Sequence, residues 1–224
     1  MEDKKIKVII TGSSGMVGEG VLYECLSDPR VRSILVLNRK PSHLIHPKLT
    51  EIVLSDLSAL SPFEQRFTGY TTCFYCVGTT SVGKTEPEYF ETTYSLTMSI
   101  ASKITSLNPG IVFCYLSAAG ADTTEKGKSM WARVKGKTEN DLKKISLGNF
   151  FVFRPFLLTP TKGLKKTHPF YRYISWLFPL SRLLYPKGFC TLRELALAMI
   201  TVGVRGFPRT VITPPDMVKL VKSA

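Results

Sequence analysis

The sequence predicts a doubly wound α/β fold, a parallel sheet with a small C-terminal helical lid, and three observations lead to it. Short β-branched and apolar runs recur as far as Phe153 without the apolar-polar alternation of a half-exposed strand. Stretches with apolar residues at helical spacing separate several of them. Three glycines, Gly12, Gly15 and Gly18, fill the first junction between a strand pattern and a helix pattern. Strands buried on both faces and alternating with helices belong to a parallel sheet covered on each side.

The elements follow in order. Lys7 to Ile10 reads as the first strand, and Gly15 to Leu26 as a helix carrying Val17, Val21, Leu22 and Cys25 on one side. Ser33 to Leu37, Glu51 to Leu54, Thr72 to Val77, Ile111 to Leu116 and Phe150 to Phe153 are the later strands. Leu57 to Phe67, Pro87 to Ser106 and Ser129 to Ile145 read as helices between them. After Arg154-Pro155 the pattern becomes rich in Pro, Lys and aromatic residues, which is read as a lid over residues 156–190, and two helices, Leu192 to Val204 and Pro215 to Val221, close the chain. No repeat or linker divides the 224 residues, so one domain is expected, with a core over 1–155 and a substrate or lid region over 156–224.

Composition bounds the function classes. Hydrophobic residues at 44% and charged residues at 21% argue against disorder and fibrous classes. The N-terminus has no apolar signal-peptide core, and five cysteines at no secreted spacing point to a reducing compartment, so a cytoplasmic location is expected. The most apolar stretch, Pro169 to Tyr185, is broken by Arg172, Pro179 and Arg182 and falls short of the roughly 18 apolar residues of a membrane span. The net charge of +13 is uneven: residues 151–224 hold 12 Lys and Arg against 2 Asp and Glu. Such a field attracts an anionic substrate or a membrane surface, or serves as a solvated face. Nucleic acid is the weakest reading, because no recognition motif accompanies the charge.

The glycine turn Thr11-Gly12-Ser13-Ser14-Gly15-Met16-Val17-Gly18 predicts a dinucleotide site. One glycine permits the tight turn, a second lets the backbone approach a pyrophosphate, and a third lets helix and strand pack closely. The diphosphate would rest on free amides at a helix N-terminus. The end of the second strand, Leu37-Asn38-Arg39-Lys40, lacks the carboxylate that an NAD site places there for the ribose hydroxyls. A guanidinium instead offers paired donors to phosphate oxygens, so NADP(H) is expected over NAD(H), with Asn38 and Arg39 at the ribose.

Further motifs stand in order along the chain: Asp56-Leu57, Cys76-Val77-Gly78-Thr79-Thr80, Leu116-Ser117-Ala118-Ala119-Gly120-Ala121-Asp122, Val134-Lys135-Gly136-Lys137-Thr138-Glu139 and Phe153-Arg154-Pro155. With the glycine turn, they make residues 6–160 resemble the atypical short-chain dehydrogenase/reductase superfamily, within it the Tat-interacting-protein-like, NAD-dependent epimerase/dehydratase-like subgroup. The resemblance implies a Rossmann fold, cofactor contacts from Gly12, Ser13, Ser14, Gly15, Met16 and Val17, and a cofactor border formed by Asp56 and Leu57 at the adenine. It also implies Val77, Gly78 and Thr79 at the adenosine ribose and Pro155 near the nicotinamide. Catalysis in that family uses Ser, Tyr and Lys, with Tyr and Lys four apart on one helical face. Ser117 and Lys135 match, but Trp131 stands where the tyrosine would, and an indole has no proton to exchange.

Three readings follow from Trp131. Another group, Tyr94 or Tyr115, supplies the proton; the hydride acceptor needs no acid; or the domain binds cofactor without turnover, as a redox-sensing module. Lys135 keeps a use in each, since its ammonium can hold the nicotinamide ribose. The resemblance also implies a homodimer through the two long central helices. Cys73-Phe74-Tyr75-Cys76 spells C-x-x-C, yet within a strand residues three apart face opposite sides, so no metal site is expected. Phe156, Phe170, Tyr171, Tyr173, Trp176, Leu177 and Phe178 beside Lys162, Lys165, Lys166 and Arg172 suit either lid packing, an amphiphilic anionic substrate, or peripheral membrane contact.

Overall fold

The computed structural model describes residues 5–56, 60–146, 148–159 and 188–222. The first apolar run forms β1 (Ile6–Thr11), where Ile6, Val8, Ile9 and Ile10 are all wholly buried. Its even-numbered side chains enter one apolar layer and Ile9 the other, which is why the strand shows no polar alternation. The same division holds for β2 (Val31–Asn38): Ile34 and Val36 face one layer, Leu35 and Leu37 the other.

The remaining strands are β3 (Leu49–Val53), β4 (Thr72–Tyr75), β5 (Val112–Leu116), β6 (Phe150–Phe153) and, after the chain re-enters the sheet, β9 (Val211–Ile212). All pair in parallel in the order β3-β2-β1-β4-β5-β6-β9. The doubly wound sheet is therefore present, and the strand order reverses between β1 and β4, the point at which such sheets open a crevice at their carboxyl ends. A separate parallel pair, β7 (Leu157–Thr159) with β8 (Phe189–Thr191), lies at the edge of the stretch read as a lid.

One layer packs α1 (Met16–Ser27), α5 (Leu192–Arg205) and α6 (Pro214–Lys222) on the sheet through Val21, Leu22, Leu195, Met199 and Met217. The opposite layer holds α3 (Leu96–Leu107) and α4 (Met130–Ile145) through Ile100, Ile104 and Leu142. A short helix α2 (Glu86–Phe90) runs into α3 through a π-helical turn, Glu91–Ser95. α5 opens with a capping box: Thr191 accepts from the Glu194 amide at 3.0 Å and its own amide donates to the Glu194 carboxylate at 2.8 Å.

Two expectations need correction, two pairings were not expected, and one expectation lies outside the described residues. The segment read as a helix over 57–67 is a 3-10 helix, Ser61–Phe67, with Pro62 at its start and residues 57–59 outside the described set. The strand read to Val77 ends at Tyr75, because the chain turns outward toward the crevice. β9 is only two residues long and escaped notice, as did the β7–β8 ladder. The lid and most of its aromatic and lysine residues fall in 160–187, outside the described residues.

Candidate functional site

The glycine turn is built by contacts that admit no side chain at two of its three glycines. Gly12 has a φ of +76°, in the left-handed region, and a Cβ there would lie 2.7 Å from the backbone of Cys76 and Val77. A Cβ on Gly18 would lie 2.1 Å from the Gly12 carbonyl oxygen, so this glycine lets α1 press against the turn. Gly15 is different: its Cβ would meet only that oxygen, at an ordinary 3.5 Å. Nothing in the protein requires a glycine there, which is what a cradle for an external group looks like. The first bond of α1 runs from the Glu19 amide to the Gly15 carbonyl at 2.8 Å, so the amides of Met16, Val17 and Gly18 have no acceptor within the helix. The donor set fits a diphosphate.

The turn opens onto a cavity of about 450 Å³. Gly12, Ser14 and Gly15 form one wall, Leu37, Asn38 and Arg39 a second, and Cys76, Val77, Gly78 and Thr79 a third. Lys84, Thr92 and Leu96 complete it, with Thr92 brought in by the π-helical turn. No carboxylate stands among these lining residues, while two cations, Arg39 and Lys84, do. The Lys84 ammonium donates to Thr79 Oγ1 at 3.1 Å. Asn38 is buried and committed: it accepts from Ser13 Oγ at 2.8 Å and donates to Glu51 Oε1 at 2.8 Å. Arg39 is exposed.

On the other side of Arg39 lies a second cleft, about 760 Å³, bounded by Ser13, Ser14, Glu19, Tyr23, Lys40, His43 and Ser55 among others. Ser14, Asn38 and Arg39 border both. Of the residues expected at the adenine, Asp56 is exposed at the end of β3 and borders neither space, while Leu57 lies outside the described residues.

The family-like catalytic positions form a distinct cluster at the carboxyl ends of β5 and β6. Ser117 is buried, and its hydroxyl donates to Glu139 Oε1 at 2.5 Å. Arg154 closes on the same carboxylate, through Nε to Oε1 at 3.1 Å and through its Nη2 to Oε2. Lys135, one turn before Glu139 on α4, holds its ammonium 5.6 Å from the Tyr115 ring centroid. Burial pushes the Lys135 ammonium down to about 8, against the pull of Glu139 in the opposite direction. Pro155 is buried, and its carbonyl accepts from the Ala119 amide at 2.9 Å. None of Ser117, Lys135 and Pro155 lines the two clefts.

Trp131 packs across the loop after β5: a Cβ on Gly120 would lie 3.2 Å from its indole. Neither tyrosine weighed as a replacement acid is free. Tyr94 donates to Asp141 Oδ2 at 2.9 Å, on the outer side of α4, beside Lys137 and Lys144. Tyr115 is wholly enclosed, and burial drives its phenol well above the ordinary range. Glu139 and Arg154 were not read as functional from the sequence. The signal was present: Glu139 follows Lys135 by four residues, on the same face of α4.

No family model matches the chain. A curated relative from Emericella nidulans, "Protein fmp52, mitochondrial", is 28% identical over 165 residues, covering 67% of this chain and 66% of the relative. A second, from Aspergillus terreus, "Protein fmp52-1, mitochondrial", is 27% identical and covered to 68%. The chain thus spans about two thirds of the length of these relatives. Among solved structures, the Bordetella bronchiseptica enzyme WbmF in complex with NAD+ superposes with a TM-score of 0.66 at 13% identity, over 98% of this chain and 78% of that one. The UDP-glucose 4-epimerase of Thermotoga maritima gives 0.65 at 13% identity, over 97% and 82%. The UDP-N-acetylglucosamine 4-epimerase of Methanobrevibacter ruminantium gives 0.66 at 16%, over 98% and 82%.

The fold is the Rossmann fold that these solved structures share. The Rossmann architecture implied by the motifs is therefore present, and WbmF is described in complex with NAD+. The cytoplasmic expectation is overturned, since both curated relatives are named mitochondrial. The five cysteines are buried and none forms a disulfide, which suits a reducing mitochondrial interior as well as the cytosol.

Proposed function

We propose that this chain is an NADP(H)-dependent oxidoreductase of atypical short-chain dehydrogenase type, acting on a small or amphiphilic substrate, and the likeness to its curated relatives supports a mitochondrial location. The observation that carries the cofactor reading is the lining of the first cleft: a glycine with no protein neighbour to require it, two cations and no carboxylate. Gly12, Ser13, Ser14, Gly15, Met16 and Val17 would hold the diphosphate through backbone amides, Val77, Gly78 and Thr79 would border the adenosine, and Arg39 would take a 2'-phosphate. Bound, the dinucleotide supplies or accepts a hydride. The neighbour WbmF holds NAD+, and a carboxylate for the ribose hydroxyls is the usual mark of that preference. Its absence from the cleft favours the phosphorylated form here.

Lys135 can stabilise negative charge near the nicotinamide ribose, and Ser117 can present a hydroxyl only by releasing Glu139. That commitment favours a second reading, a non-catalytic NADP(H)-binding module that reports redox state to a partner. Calorimetry with NADPH and NADH tests the shared cofactor claim; binding of neither at millimolar concentration overturns both readings. Anaerobic mixing with NADPH and a panel of aldehydes, ketones and quinones separates them. Oxidation of the coenzyme by any acceptor supports the enzyme, and tight binding with no oxidation supports the module.

A further inference from the structure

The second cleft contains a residue that the cofactor motif does not explain. His43 is exposed on the loop between β2 and β3 and adopts a φ of +57°, a left-handed backbone that non-glycine residues seldom hold. Local bonding fixes the loop on both sides of it: the Leu44 amide donates to Ser42 Oγ at 3.3 Å, and the Ser42 amide donates to Glu51 Oε1 at 3.0 Å. The imidazole itself has no hydrogen-bond or ionic partner among the described residues. It borders the cleft that shares Ser14, Asn38 and Arg39 with the glycine-turn cavity.

The charged and titratable groups around that cleft come from three directions. Arg39 and Lys40 stand on the same connection as His43, and Glu19 and Tyr23 face it from α1. Glu51, on β3, is saturated by Asn38 and the Ser42 amide. Glu19 is buried against the turn, whereas Arg39, Lys40 and His43 are exposed at the rim. Three nitrogen-bearing side chains thus border one cleft, which also touches the glycine turn at Ser13 and Ser14. A phosphate on the adenosine ribose would enter there.

We propose that His43 is a specificity-determining residue, whose protonated imidazole joins Arg39 in binding the 2'-phosphate and makes the preference for NADP(H) over NAD(H) depend on pH. The inference rests on the NADP(H) reading above. An imidazolium offers a positive charge and two N–H donors to phosphate oxygens. The phosphate's own titration is common to every variant, so it cancels when wild type and variant are compared.

The test uses the full chain and two probes that undergo no redox chemistry, ADP-ribose and its 2'-phosphate, titrated calorimetrically at several points from about pH 5.5 to 8.5. In the His43→Gln protein, selectivity for the 2'-phosphate should fall about two- to fivefold at the acid end and match wild type at the alkaline end, the scale of an exposed charged pair. His43→Lys should restore selectivity and hold it to higher pH. ADP-ribose affinity should not change in either variant. A wild-type protein that does not prefer the 2'-phosphate at any pH overturns the NADP(H) reading and this inference together. Preference for the 2'-phosphate with a pH profile unaltered in His43→Gln overturns the role of His43 alone.

Discussion

Single positions divide cleanly into those the fold needs and those it does not, and that division can be measured. A methyl group on Gly18 would overlap the Gly12 carbonyl, so Gly18→Ala should cost about 1–3 kcal/mol of unfolding free energy, the usual penalty of overpacking. Gly15→Ala meets ordinary contacts only and should leave the denaturation midpoint nearly unchanged, while weakening NADPH and NADH binding alike. Equal losses of stability in the two variants would show that Gly15 is structural and remove the argument for a cradle. Arg39 makes a complementary prediction: because it is exposed and borders both clefts, Arg39→Ala should cost NADPH about tenfold in affinity, the scale of a charged hydrogen bond, and leave NADH unchanged. A parallel loss for both coenzymes, read by fluorescence titration, would place Arg39 elsewhere than at a 2'-phosphate.

At the scale of elements, the parallel core was legible because its signals are local. A β-branched run buried on both faces needs no partner to be recognised, and Phe150–Phe153 was read to its exact ends. β9 was not, because two residues carry no period, and Val211–Ile212 is a strand only through pairing with β6. The 3-10 helix at Ser61–Phe67 was read as a longer α-helix since its apolar residues fit both periods. The site was legible where backbone geometry dictates residue type, as at Gly12 and Gly18, and illegible where side chains from distant segments meet. Ser117, Glu139 and Arg154 come from β5's end, α4 and β6's end, and only tertiary structure shows that the hydroxyl is already engaged. That junction ties α4 to the sheet. Glu139→Ala leaves the buried end of Arg154 without its partner and should destabilise by about 3–5 kcal/mol, as breaking a buried pair does, whereas Ser117→Ala should cost about 1 kcal/mol. Urea denaturation of both variants checks the order, and a larger loss from Ser117→Ala would contradict it.

For the whole molecule, the dominant ionisable feature is what the core keeps neutral. Cys25, Cys73 and Cys114 have thiols pushed well above their ordinary range by burial, and Cys76 is raised to about 12 for the same reason. Tyr75 and Tyr115 are raised in the same sense. The unfolded chain releases the thiol protons above about pH 8.5–9 and the phenol protons above about pH 10 while the folded chain retains them, so their contribution is fully present below those values and is lost as pH rises. Each such group acts in the same direction, so the thiols reinforce one another as the pH rises above their unfolded range. Lys135 acts with the opposite sign. Its folded ammonium ionises near about 8, below the unfolded lysine, so the unfolded state binds the extra proton and stability rises with pH up to about 10.5. One lysine cannot offset four thiols and two phenols, and the net expectation is a steep alkaline loss. Urea midpoints followed from about pH 7 to 10 should fall sharply above 9. The Cys73→Ala, Cys114→Ala double variant should start lower, from lost packing, yet decline with roughly half the slope. Lys135→Met should steepen the decline between about pH 8 and 10.5, because it removes a group working the other way. A double variant as alkali-sensitive as the parent would mean that the sheet's thiols are not what confines this fold to neutral pH.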